Sequence, residues 1–326
     1  MPALNPSTTV VIANPAAAGG RVGQRWDALC SQIRGVLGSQ VQVQRTEGPR
    51  HGVVLATAAV QAGAQTVCAL GGDGTLSEVV NGIMAARPAP GTVQLGVLPA
   101  GTGGDFRRVL RHGETLDGAL QALPSASAHP IDIGALTWRG DDGADHSGWF
   151  LNVASFGIGG LVDRLVNASS KRLPGGVAFY TATLRALWRY RPAMVRLVLD
   201  GEALEPVPVT NVLVCNSRFA GGGMRFAPDA CLDDGLFDVV IMRQKSALYT
   251  VSLSRAIYSG AHLNDDTVRL LRAREVRAEV IGPDPAWMDI DGEAPGVLPA
   301  TLRVVPGALR LLDVRPEVLS ATRARS

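Results

Sequence analysis

The run Val67-Cys68-Ala69-Leu70 ends directly on Gly71-Gly72-Asp73-Gly74-Thr75, and a helix-compatible stretch follows from Leu76 to Ala86. An uninterrupted apolar run of strand length suits a strand covered on both faces, the habit of parallel sheets flanked by crossover helices. Val10-Val11-Ile12 is a second such run, and the alternation repeats. Strands are predicted over Thr8 to Ala13, Val41 to Arg45, Thr66 to Leu70 and Val93 to Leu98, with helices over Arg21 to Leu37, His51 to Ala62 and Leu76 to Ala86. The pattern predicts an α/β domain with a parallel sheet over residues 1–130. From about Ile131 it changes to short runs separated by turn residues, among them Trp149 to Val153, Val195 to Leu199, Val209 to Cys215, Phe237 to Ile241 and Val276 to Ile281. These predict a β-rich antiparallel sandwich as a second domain over 131–313, with the tail 314–326 free to return to the first.

In an open parallel sheet the ligand crevice lies at the carboxyl ends of the strands, which is where the glycines fall. Glycine lets a backbone approach phosphate oxygens, and the helix start that follows offers N–H groups and a positive dipole end. Polyphosphate is the natural ligand of Gly71 to Thr75. Asp73 would repel it unless Mg²⁺ lies between them or the carboxylate bonds to the loop itself. A tight turn with a capping Asp is the plainer alternative. Two further turns follow strands: Asn14-Pro15 with Gly19-Gly20, and Pro99-Ala100-Gly101-Thr102-Gly103-Gly104-Asp105-Phe106. Their coincidence, more than any one of them, points to a phosphate site.

The chain has 326 residues, 46% of them apolar, enough to bury a sizeable core. A net charge of +2 gives no broad cationic surface for nucleic acid. Only Lys171 and Lys245 are lysines among 31 basic residues, and neither follows a glycine turn, so a Walker-type loop is excluded. Cys30, Cys68, Cys215 and Cys231 lie far apart and form no C-x-x-C pair, as buried thiols do. The histidines form no H-E-x-x-H pair, and Val153-Ala154-Ser155-Phe156-Gly157 lacks the first glycine of a nucleophile elbow. No run reaches the roughly 18 apolar residues of a spanning helix, so a cytoplasmic protein is expected.

Two acidic segments stand out in the second half. Asp289-Ile290-Asp291-Gly292-Glu293, if extended, projects three carboxylates to one face, with Met288 and Ile290 on the other. Clustered carboxylates favour proton uptake, as a general base for a hydroxyl acceptor requires. Asp-Gly is equally a hairpin signal. Cys231-Leu232-Asp233-Asp234-Gly235-Leu236-Phe237-Asp238 can hold a hard cation through one Asp and backbone carbonyls, or can simply be a turn.

Taken in order, Asn14-Pro15 with Gly19-Gly20, Gly71 to Thr75, Pro99-x-Gly101-Thr102 with Asp105-Phe106, Gly221-Gly222-Gly223 through Pro228, Asp234-Gly235-Leu236 and Asp291-Gly292-Glu293 resemble the bacterial diacylglycerol kinase family of lipid kinases. The resemblance implies a fold like that of diacylglycerol and NAD kinases, and transfer of the γ-phosphoryl group of ATP to a lipid hydroxyl. It places ATP between the domains on Asn14, Pro15, Thr46, Gly71, Gly72, Asp73, Gly74, Thr75, Leu76, Ser77, Gly101 and Thr102, with Asp105 and Phe106 beside the substrate. Asp291 becomes the proton acceptor assisted by Glu293, with Asp73 as its rival. Mg²⁺ is implied on the Asp234 carboxylate and the backbone oxygens of Cys231 and Leu236. One departure is visible: similar proteins usually carry Asn before the Asp of the third turn, whereas this chain has Gly104, with Arg107-Arg108 close behind.

A lipid acceptor implies transient docking at the membrane surface, for which Val177 to Arg191 reads as an amphipathic helix or as an ordinary packed one. A homodimer stays open. The competing functions are an NAD kinase, which shares the Gly-Gly-Asp-Gly-Thr turn, and a non-catalytic nucleotide-binding regulator.

Overall fold

The computed structural model describes residues 4–100, 104–110, 115–168 and 190–313. Gly101, Thr102, most of the 177–191 segment and the tail 314–326 lie outside them. The chain divides into two compact units: one runs to Ile133 and takes in Cys231–Gly235 and the segment from Val305, and the other comprises Gly134–Ala230 and Leu236–Val304. The first unit thus includes two segments that the sequence pattern assigns to the second domain.

In the first unit, β1 (Thr9–Ala13), α1 (Arg21–Gln24), α2 (Trp26–Leu37), β2 (Gln42–Arg45), α3 (His51–Gln61), β3 (Thr66–Gly71), α4 (Asp73–Ala85), β4 (Gln94–Pro99) and α5 (Leu116–Ala122) follow one another. β1 lies parallel to β2 and β3, and β3 lies parallel to β4. All residues of β1 and β3 are buried, as their uninterrupted apolar runs require. Val11, Cys68, Leu70 and Leu98 pack with Ile33 of α2 and Leu120 of α5 in one cluster.

Two local differences from the sequence pattern matter for the site. The helix expected over Arg21 to Leu37 breaks at Arg25, because α1 is pinned under the first turn: Gly23 N–H donates to Pro15 C=O at 3.0 Å, and a Cβ at Gly23 would meet that oxygen. α4 begins at Asp73 rather than Leu76, so the glycine turn is itself the first turn of the helix.

The second unit contains the second half of β5 (Ser127–Gly140), then β6 (Asp145–Phe150), β7 (Val153–Gly157), α6 (Ile158–Ala168), β8 (Met194–Leu199), β9 (Glu202–Ala203), β10 (Val207–Cys215), β11 (Phe237–Arg243), α7 (Ala247–Ser259), β12 (Val268–Ala273), β13 (Glu275–Val280), β14 (Met288–Ile290) and the first part of β15 (Gly296–Asp313). Its pairings are antiparallel, among them β7 and β11 on either side of β10, and β8 and β15 on either side of β13. The period of two is plain in β10: Val212 and Val214 enter a core with Phe150, Phe156, Leu197 and Leu302, while Leu213 and Cys215 face a second cluster with Val240 and Ile257. The last stretch of β15 belongs to the first unit, where Arg310 and Leu311 pair in parallel with Gln94 and Leu95 and add a fifth strand to that sheet. Among the described residues no helix is long and apolar enough to cross a membrane.

Candidate active site

Asn14, Thr46, Gly71 and Ala100 stand at or just past the carboxyl ends of β1, β2, β3 and β4, which brings the turns of the first unit to one edge of its sheet. The ties are specific. Thr46 N–H donates to Ala13 C=O at 2.9 Å and Ala100 N–H to Gly71 C=O at 2.9 Å. The Asn14 side chain donates to Thr75 Oγ1 at 3.2 Å and accepts from Ala16 N–H at 2.9 Å, so Asn14 shapes its own turn while holding the start of α4.

The three glycines of the central turn have different reasons to be glycine. A Cβ at Gly71 would sit 2.3 Å from Thr75 Oγ1, a packing reason. Gly72 has extended backbone (φ −98°, ψ −169°), Gly74 is helical, and a Cβ at either would meet nothing within 4 Å. Neither backbone strain nor protein packing explains them, so both leave open space beside the first amides of α4, which lack intrahelical acceptors. A cavity of about 110 Å³ opens here, lined by Ala69, Gly71, Gly72, Asp73, Leu76, Val97, Pro99, Ala100, Gly104 and Arg107. Pockets for whole drug-sized ligands run to about 300–1,000 Å³. This one matches a fragment of phosphate size.

Asp73 bonds to the loop. Its carboxylate accepts from Asp105 N–H at 2.6 Å and from Phe106 N–H at 3.3 Å, fastening the third turn to the second. Burial raises its pKa, the amide of Asp105 pulls the other way, the Asp105 carboxylate adds to the rise, and the Phe106 amide and Arg107 lower it. Asp105 and Phe106 are buried, 6% and 1% exposed, and the two amides are taken up by Asp73. Asp105 is also paired with Arg108 at 3.6 Å.

In the second unit the extended carboxylate strand does not form. β14 ends at Ile290, and Asp291-Gly292 make a two-residue hairpin turn (φ +50° and +89°), closed by Ile290 N–H to Glu293 C=O at 2.8 Å and the reciprocal bond at 3.0 Å. Left-handed φ at both central positions is the type I′ pattern that Asp-Gly favours. Met288 and Ile290 do enter the core, as alternation predicts. The Asp291 carboxylate accepts three backbone amides: Leu151 at 2.9 Å on Oδ2, Asn152 and Val153 at 3.0 Å on Oδ1. Asp289 instead accepts from Ser155 Oγ at 3.3 Å and Gly292 N–H at 2.8 Å.

Cys231 and Asp234 belong to the segment that joins the first unit, and Asp132 holds it there. Asp132 accepts from Gly235 N–H at 2.7 Å and Gly307 N–H at 2.9 Å, and its own N–H donates to Leu232 C=O at 2.6 Å. Burial raises its pKa most, the Gly307 and Gly235 amides oppose this, and Asp234 and Asp233 raise it further. Among the described residues no three His, Cys, Asp or Glu side chains group as metal ligands. One carboxylate with backbone carbonyls, the set implied by Asp234, Cys231 and Leu236, needs no such group, and an all-oxygen set suits Mg²⁺.

Sequence reasoning missed Asp132, the amides of Leu151 to Val153, and Glu78, which accepts from Arg50 and Gly52 N–H at 2.8 Å each and so anchors the start of α3. Only Glu78 carried a local signal, lying in the α4 face next to the turn.

A parallel sheet whose strand ends carry a phosphate-sized, glycine-lined cavity, joined to an antiparallel β-unit, defines the class of two-domain phosphotransferases. Residues 8–136 match the diacylglycerol kinase catalytic domain, and residues 152–313 match the YegS C-terminal NAD kinase beta sandwich-like domain. The chain is 34% identical over 263 residues to a diacylglycerol kinase of Mycobacterium tuberculosis, covering 80% of this chain and 81% of that one. It is 31% identical over 237 residues to a diacylglycerol kinase of Bacillus subtilis, covering 72% of each. A crystal structure of a diacylglycerol kinase from Bacillus anthracis shares the fold, with a TM-score of 0.69, 17% identity, and 96% and 98% of the two chains covered. The chain belongs to the bacterial diacylglycerol kinase family of lipid kinases.

Proposed function

We propose that this lipid kinase takes ATP with Mg²⁺ and transfers the γ-phosphoryl group to the hydroxyl of diacylglycerol or a closely related lipid. The observation that carries the proposal is the pair Gly72 and Gly74, glycines that neither conformation nor packing calls for, beside open space at a helix start. Phosphate oxygens there would accept from the first amides of α4. Asn14 and Thr46 would border them, and Asp73 would keep the third turn, with Gly101 and Thr102, in reach.

Asp291 is the preferred proton acceptor, with Glu293 assisting, because Asp73 sits where phosphate is expected. The acceptor oxygen forms a bond to the γ-phosphorus, the bond to the ADP oxygen breaks, and the hydroxyl proton passes to the carboxylate. Three backbone amides on Asp291 would fix the aim of its carboxylate. Mg²⁺ on Asp234 and the backbone oxygens of Cys231 and Leu236 would supply positive charge to the acidic turn at Asp132, Asp233 and Asp234. The lipid stays in the bilayer, so the enzyme would work in the cytoplasm and dock transiently.

The test is purified protein with γ-labelled ATP and Mg²⁺, offered diacylglycerol in mixed micelles, a fractionated lipid extract, and NAD⁺. Labelled phosphatidic acid, or another labelled lipid from the extract, is the expected product. Label confined to NADP⁺ would move the chain to NAD kinase chemistry, and bound ATP with no product would leave a nucleotide-binding regulator.

A further inference from the structure

A phosphate turn that carries an aspartate and no lysine needs a cation from elsewhere. The two lysines of this chain, Lys171 and Lys245, adjoin none of the glycine turns. The third turn brings one in. Arg107 lines the same cavity as Gly71, Gly72, Asp73 and Gly104. Its Nε donates to Gly104 C=O at 3.2 Å, which fixes the root of the guanidinium against the turn.

Gly104 is what makes room for this. Its backbone is not left-handed, so conformation does not demand glycine. A Cβ there would lie 3.3 Å from Asp73 Oδ1, tighter than ordinary contact, and 3.4 Å from Arg107 Cδ, touching the arginine stem. A side chain at 104 would have to fit between Asp73 and the arginine stem. The unusual Gly104 and the arginine three residues later are therefore one device. Arg107 also works on Asp73, whose pKa it lowers against the effect of burial.

Resting on the reading that this cavity receives the phosphates of ATP, we infer that Arg107 binds the β- and γ-phosphates, and that Gly104 is the accommodation that lets it reach them. Guanidinium offers a planar set of donors matched to phosphate oxygens, and it stays charged at every working pH. It takes the charge-neutralising part that a lysine plays in other phosphate loops.

The test compares wild type, Arg107→Ala, Arg107→Lys, Gly104→Asn and the Gly104→Asn/Arg107→Ala double variant by titration calorimetry with ATP, tripolyphosphate and AMP, with thermal melts to confirm folding. Arg107→Ala is expected to weaken ATP and tripolyphosphate by about 10- to 100-fold and AMP by no more than about threefold, as a charged hydrogen bond to phosphate warrants. Arg107→Lys should recover part of the loss. Gly104→Asn should weaken ATP in the wild-type background and add little to Arg107→Ala, since both act on one contact. Unchanged ATP affinity in Arg107→Ala, or equal losses for ATP and AMP, overturns the inference while leaving the nucleotide site standing. A wild-type protein that binds neither ATP nor tripolyphosphate overturns both.

Discussion

Replacing Asp291 by Asn separates a structural role of this residue from a chemical one. Asn keeps the volume and tolerates φ +50°, so the hairpin turn itself is not strained. The carboxylate's three amide bonds at 2.9, 3.0 and 3.0 Å change character. The two on Oδ1 can persist to a neutral carbonyl, each losing about 1 kcal/mol, the difference between a charged and a neutral hydrogen bond. The third meets an NH₂ group where an oxygen stood, leaving the Leu151 N–H facing a donor at a cost of about 1–3 kcal/mol. Asp291 is half-buried, so water offsets part of this, and a net loss of about 2–4 kcal/mol is expected. Urea unfolding followed by tryptophan fluorescence reports it, because Trp138, Trp149 and Trp287 lie in the same unit. Turnover, measured where the variant is fully folded, should fall separately by about 10²–10⁴, the usual contribution of a general base. A variant as stable as wild type would refute the claim that these bonds hold the Leu151–Val153 bend. Stability lost with turnover intact would refute Asp291 as the base and pass the role to Asp73.

Gly72→Val should abolish ATP binding yet change stability by about 1 kcal/mol or less, since its backbone is extended and no protein atom lies in the way; unchanged ATP affinity in titrations would remove the phosphate cradle. Asp73 has a folded-state pKa raised above its ordinary value of 3.8, chiefly by burial, so what it contributes to stability is largest in acid and is lost as pH rises through the raised value. Between pH 4 and 7 the unfolding free energy of wild type should therefore fall relative to that of Asp73→Asn, and the opposite slope would contradict the assignment. All four cysteines are buried, with burial raising the pKa of Cys30 and Cys215 and pushing Cys68 up to about 12. Native protein at pH 8 should react slowly with a disulfide reagent, and four thiols should appear at once in denaturant; fast labelling of any native thiol would show that site to be open.

The sequence announced what depends on neighbours in the chain. Uninterrupted apolar runs at Val10 and Val67 gave β1 and β3, and the glycines directly behind β3 marked a strand end where the cavity lies. Alternation put Met288 and Ile290 in the core, and Asp-Gly after them was a hairpin signal that proved stronger than the extended strand drawn from spaced carboxylates. That difference has a local cause, because Asp291 and Gly292 both take left-handed φ, at which a strand cannot continue.

What tertiary structure decided is where each carboxylate finds its partners. Asp73 reaches amides 32 and 33 positions away, Asp291 reaches Leu151 across 140, and Asp132 reaches Gly307 across 175. No spacing or period encodes such pairs, since a side chain meets a distant amide only after strands have packed and their turns have been brought to one edge. The pairing of Arg310 and Leu311 with β4 is of the same kind. Local chemistry fixed which segments are strands, helices and turns, and packing fixed which distant amides each aspartate holds.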